Sequence, residues 1–223
     1  MPTPLLQVGL VVGWLAIVGG VAEGLRRTTA VGPEITRKVV HIGAGHVILL
    51  AWWLQTPAWM GIAASVAASA IALLSYRMPI LPGINGVGRD SLGTFFYASS
   101  IGLLTAGFWP QGLPHYTAIG ILVMTWGDGL AALVGQRFGR HPYKLWDTQK
   151  SWEGSLAMFI ASLVVCLSIL GGVYGWSLAI GLISFLVAVV ATGLEAFSKF
   201  GIDNLTVPLG SAALAYWLNS LIS

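Results

Sequence analysis

Ionisable residues are scarce in this chain, and the ones able to do chemistry fall into a few small groups. Arg37, Lys38 and His41 form the first; spacings of four and three put them on one face of a helix. Asp128 stands alone between Gly127 and Gly129, inside a long apolar run. Lys150 and Ser151 mark the start of another run, Glu153 lies just inside it, and Glu195, Asp203 and Asn204 come late. These residue types suit phosphate and a hard cation. A helix start at Ser151 offers free N–H groups and a partial positive charge, to which Lys150 adds a point charge; the alternative is that Lys150 only snorkels to a membrane surface. Asp203 and Asn204 either ligate a cation through oxygen or cap the last helix. The Arg37–Lys38–His41 cluster either contacts phosphate or forms a solvated face. His46 lies off that stripe and reads as a hydrogen-bonded packing residue.

The elements that position these groups are membrane helices. Hydrophobic residues make up 56% of the 223 and charged residues 9%, with a mean hydropathy of +0.82. A soluble domain carries roughly a quarter of its residues as charges, so lipid is the main solvent. One compact helical bundle, a single domain over 1–223, suits this length. Apolar runs at 4–22, 39–54, 57–75, 92–109, 116–135, 154–171, 173–194 and 205–222 read as about eight spans, or seven if one fails to cross. The fold class expected is all-α, a polytopic transmembrane bundle. All eleven basic residues fall on alternate connections, which places that face in the cytoplasm and both termini on the other side. The first run lacks a basic segment before it and reads as a retained span, not a signal peptide. Cys166 is the only cysteine, which excludes a disulfide framework. The net charge of +3 reflects the membrane surface and predicts no nucleic-acid partner.

Orientation explains the bases but not the acids. Glu23, Glu34, Asp90, Asp128, Asp147, Glu153, Glu195 and Asp203 all share the basic face. Asp128 lies deepest, about 18 Å from the outer end of its span at a rise of about 1.5 Å per residue. A carboxylate there must be paired, hydrated or bound to a metal. Gly127 and Gly129 would loosen its backbone or let a ligand approach. Ala131, Gly135 and Gly139, spaced by four, make a strip for close helix packing. There is no glycine-rich phosphate loop of the Gly-x-x-x-x-Gly-Lys-Ser/Thr type, so a nucleotide would have to bind at helix ends and connections.

Four motifs carry a family resemblance. They are Arg37-Lys38-x-x-His41-Ile42-x-x-Gly45, Asp90-Ser91-Leu92-Gly93-Thr94, Gly127-Asp128-x-x-Ala131-x-x-x-Gly135-x-x-x-Gly139 and Lys150-Ser151-x-Glu153-Gly154-Ser155. Together with Glu195 and Asp203-Asn204-x-x-x-Pro208 they resemble the polyprenol kinase family, which takes in phytol, farnesol and dolichol kinases and is related to the CDP-diacylglycerol synthases. The compact length is most similar to bacterial members acting on phytol. The resemblance implies phosphorylation of the terminal hydroxyl of an isoprenoid alcohol, with CTP as donor and Mg²⁺ or another divalent cation as cofactor. It implies a plasma or intracellular photosynthetic membrane with the site facing the cytoplasm. On that basis Asp128 and Lys150 are the expected catalytic residues. Arg37, Lys38, His41, Lys150, Ser151, Glu153 and Asn204 are expected around the nucleotide, and Asp128, Glu153 and Asp203 around the metal. The same motifs leave open a cytidylyltransferase. A transporter fits less well, because only Asp128 goes deep.

Overall fold

The computed structural model describes residues 2–28, 32–77, 92–145 and 148–222. Asp90, Ser91 and Asp147 lie outside the described residues. A helix overlies each of the eight apolar runs: α1 (Pro4–Thr28), α2 (Pro33–Gly45) with α3 (Val47–Trp53), α4 (Ala58–Arg77), α5 (Gly93–Phe108), α6 (Pro114–Phe138), α7 (Trp152–Tyr174), α8 (Leu178–Ala196) and α9 (Asp203–Ser220). Five of them, α1, α4, α6, α7 and α8, are long and apolar enough to cross a membrane.

The run at 39–54 is expected as one helix and is in fact two. His46 is the cause. Its ring Nδ1 lies 2.8 Å from the Ile42 carbonyl, the acceptor that its own backbone N–H would use in an unbroken helix, and that N–H turns to Gly43 instead. The Trp126 indole donates to the other ring nitrogen at 3.3 Å. His46 is therefore a hydrogen-bonded packing residue, as its position off the basic stripe predicts. A second departure is a short antiparallel hairpin, β1 (Pro142–Leu145) paired with β2 (Thr148–Ser151), the one sheet among the described residues.

The centre of the bundle is α6. Nearly every residue from His115 to Thr125 is buried, and α2, α5, α7 and α9 all pack against it. Small residues permit this. An added Cβ at Gly129 would meet Ile42 of α2 at 2.6 Å, and one at Gly127 would strike the sulfur of Met158 on α7. The glycines beside Asp128 thus serve close helix approach and not a loosened backbone. The strip continues downward, where an added Cβ on Gly154 would lie 2.9 Å from the Ala131 carbonyl. On the other flank a Cβ at Gly120 would lie 2.5 Å from the backbone oxygen of Pro208 in α9. Because backbone cannot give way as a side chain can, Gly120→Ala is expected to destabilise the bundle by about 1–3 kcal/mol, read as a lower thermal midpoint in detergent.

The two ends of the bundle differ. Opposite the charged end, His115, Tyr116 and Tyr174 join through their polar tips, with His115 Nε2 2.8 Å from the Tyr174 hydroxyl. Trp109 donates to the Thr56 carbonyl at 2.8 Å. Such amphipathic rings sit well at a membrane–water boundary. The charged end holds the candidate site.

Candidate active site

Asp128 comes off the inner half of α6 and meets Lys38 from α2. The Lys38 ammonium donates directly to Asp128 Oδ2. Lys38 is 5% exposed and Asp128 19%, so this is a pair largely withdrawn from water. That geometry answers how a carboxylate stays charged at this depth. The face shared by Lys38 and His41 delivers His41 to the same carboxylate, its Nε2 3.9 Å from Oδ2, beyond hydrogen-bonding range. Arg37 forms a salt bridge with Glu34 at 2.6 Å near the surface, and remains within electrostatic reach of Asp128 and Asp203.

A second pair lies within electrostatic reach of the first. The hairpin turns the chain back at the end of α6, and its pairing of Tyr143 with Lys150 sets the direction of the Lys150 side chain. Lys150 donates to the Glu195 carboxylate at 2.6 Å and also to the Glu195 backbone carbonyl, tying the hairpin to the end of α8. These side chains are 16% and 10% exposed. Ser151 caps α7, its Oγ accepting from the Gly154 N–H at 3.1 Å. Glu153 goes elsewhere. Its Oε1 lies 2.6 Å from His141 Nδ1, and none of its bonds runs to Asp128 or Asp203.

Asp203 and Asn204 open α9. Neither caps it, since the helix has no side-chain cap bond. The Asp203 N–H donates to Ser198 Oγ at 3.0 Å, and Asn204 donates to the Gly201 carbonyl at 3.2 Å and to Asp203 Oδ1 at 3.3 Å. The half-buried Asp203 carboxyl lies within electrostatic reach of Asp128. Glu195 feels the charge of both Asp128 and Asp203. Glu34, Glu195 and Asp203 all lie within electrostatic reach of Asp128, whereas Glu153 turns to His141.

Among the described residues no three His, Cys, Asp or Glu side chains converge to cage a metal by themselves. Mg²⁺ does not require that; it is commonly held by one or two carboxylates, with phosphate oxygens and water completing the shell. The hard oxygens of Asp128 and Asp203, each raising the other's affinity for positive charge, fit such an ion.

Two features lie beyond the residues singled out by sequence. Tyr97 of α5 packs against His41, ring centroids 4.8 Å apart and planes tilted by 55°. A lipid-facing groove of about 580 Å³ runs between α6 and α7, lined on α6 by Leu122, Trp126, Leu130 and Val134. Leu130 is two residues from Asp128, or about 200° around a helix, so the groove and the carboxylate occupy opposite faces of α6.

Comparison with known proteins places these residues in context. The chain is 54% identical to the phytol kinase of Synechocystis, over all of this chain and 95% of that one. It is 31% identical to a probable chloroplastic phytol kinase 2 of Oryza sativa, covering 89% of this chain and 73% of the relative. It is 27% identical to chloroplastic phytol kinase 1 of Arabidopsis thaliana, covering 91% and 74%. No family model matches the chain, and no solved structure does.

Proposed function

Since the chain belongs to the phytol kinase family, we propose that this kinase with an alcohol acceptor transfers the terminal phosphoryl group of CTP to phytol, giving phytyl phosphate and CDP. The observation that carries the proposal is that two largely buried cation–carboxylate pairs, Lys38–Asp128 and Lys150–Glu195, lie within electrostatic reach of each other beneath one polar end of an apolar bundle. Phosphoryl transfer asks for positioning and charge neutralisation more than for covalent chemistry. Buried ammonium groups held beside carboxylates supply movable positive charge at low dielectric, where it acts most strongly on phosphate.

In this reading Lys38 and Lys150 exchange their carboxylates for phosphate oxygens when nucleotide enters. Arg37 guards the mouth, and Asn204 and Ser151 border the nucleotide. A divalent cation, Mg²⁺, would be held by Asp128 and Asp203 and would neutralise charge on the phosphates. The Asp128 carboxylate, released from Lys38, faces the acceptor hydroxyl. The alcohol's tail lies among the helices on the Asp128 side of α6, since the groove against α7 opens on the other. The polar end faces the cytoplasm, all eight apolar runs cross, and both termini lie on the opposite side of a plasma or photosynthetic membrane, following the basic residues.

CTP labelled in the α- or the γ-phosphate tests the reaction. Label reaching the alcohol from the γ position alone supports the proposal. Transfer of α-label to a lipid, with pyrophosphate released, would instead make the chain a cytidylyltransferase.

A further inference from the structure

Tyr97 and His41 contain two buried polar atoms with no hydrogen-bond partner: the Tyr97 hydroxyl and Nε2 of His41. Their rings pack together with planes tilted by 55°, and the His41 nitrogen is turned toward Asp128. A buried polar atom without a partner costs about 1–3 kcal/mol, and native structures retain few of them. Phenylalanine would fill the Tyr97 position without that cost. Six other buried side-chain atoms among the described residues also lack a partner, but these two belong to one ring pair beside the Asp128 carboxylate, where a ligand could supply the missing bonds.

The chemistry of that ligand follows from the three groups. A phosphate, which only accepts, would leave the Nε2 lone pair of a neutral His41 without a donor. A cation would leave the Tyr97 O–H without an acceptor. A neutral hydroxyl suits all three, because one oxygen both accepts and donates. We infer that Tyr97 and His41 receive the hydroxyl of the acceptor alcohol, Tyr97 donating to its oxygen and His41 Nε2 accepting from it, so that the oxygen lies beside Asp128. This rests on the kinase reading above. It assigns His41 to the acceptor and not to the nucleotide, and it adds Tyr97 as a substrate-contacting residue. The ring faces then border the first carbons of the isoprenoid chain.

The test is Tyr97→Phe, which keeps the ring packing and removes only the hydroxyl. In the label-transfer assay kcat/KM for phytol is expected to fall about three- to tenfold, with KM for CTP unchanged. The thermal midpoint should hold or rise, because an unpaired buried hydroxyl is removed. A second arm does not need turnover. Titration of purified chain in detergent with phytol, and with phytane, the same chain lacking the hydroxyl, follows binding by tryptophan fluorescence. Wild type should prefer phytol, and both Tyr97→Phe and His41→Phe should narrow the preference. Equal binding of phytol and phytane by wild type, or a Tyr97→Phe variant with unaltered kcat/KM for phytol, would overturn the inference. A fall in thermal midpoint with kinetics unchanged would do so too, assigning the hydroxyl to the fold. Wild type that prefers phytol over phytane yet phosphorylates nothing would sink the kinase reading and leave the hydroxyl site standing.

Discussion

Asp128→Asn is expected to lower phosphoryl transfer by about a thousandfold or more, and to destabilise the protein in the same step. Both effects come from one geometry. Among the described residues the carboxylate is the only acid bonded to Lys38, and Lys38 is nearly inaccessible to water. Removing the negative charge leaves an ammonium buried without its counter-charge, which costs about 3–5 kcal/mol. Activity and thermal midpoint must therefore be read together. The companion change Lys38→Met/Asp128→Leu separates them. Replacing a buried ion pair by apolar residues of similar volume is often neutral or stabilising, so this variant should melt at or above the wild-type temperature. Lys38→Met alone should melt below it, because Asp128 then stays buried and unpaired.

The second large effect is expected at Lys150. Lys150→Met should lower activity about a hundredfold and raise KM for CTP, since the proposal places the triphosphate against this cation. It should also free the hairpin, because the two bonds from Lys150 to Glu195 join β2 to the end of α8. Faster trypsin cleavage after Arg140 or Lys144 would report that release. Glu195→Gln discriminates between the roles. Glutamine still accepts from Lys150, so the hairpin stays anchored and KM for CTP should move far less. If Lys150→Met frees the hairpin but leaves KM for CTP unchanged, Lys150 serves as an anchor and not as a phosphate ligand.

The helices and the need of Asp128 for a partner were legible from charge against an apolar background. An acid inside a membrane run demands a partner, and the face shared by Lys38 and His41 was visible in their spacing. Which acid meets which base was not. Lys150 and Glu195 are 45 residues apart, and their meeting depends on how α7 and α8 pack. Glu153 has the same chemistry as Glu195 and lies closer to Lys150 in sequence, yet the first turn of α7 points it at His141. The hairpin was hidden because four-residue strands flanked by long helices show no period of their own. Gly127 and Gly129 were misjudged for a related reason: a glycine beside a functional residue looks the same whether it admits a ligand or, as here, a neighbouring Ile42 or Met158. Tyr97 sits in an apolar run with no charged neighbour, where its hydroxyl has no sequence signature. The break at His46 was not legible either, because it depends on the His46 ring reaching the Ile42 carbonyl and the Trp126 indole.

The account stands or falls on the buried Lys38–Asp128 pair being the centre at which phosphate reaches the alcohol. The most direct measurement is transfer of γ-label from CTP to phytol in a single turnover, by purified wild type and by Lys38→Met/Asp128→Leu, the two matched for thermal midpoint. Wild type is expected to yield labelled phytyl phosphate and the folded double variant to remain at the blank. Labelled phytol formed by the double variant at a rate comparable to wild type would contradict it.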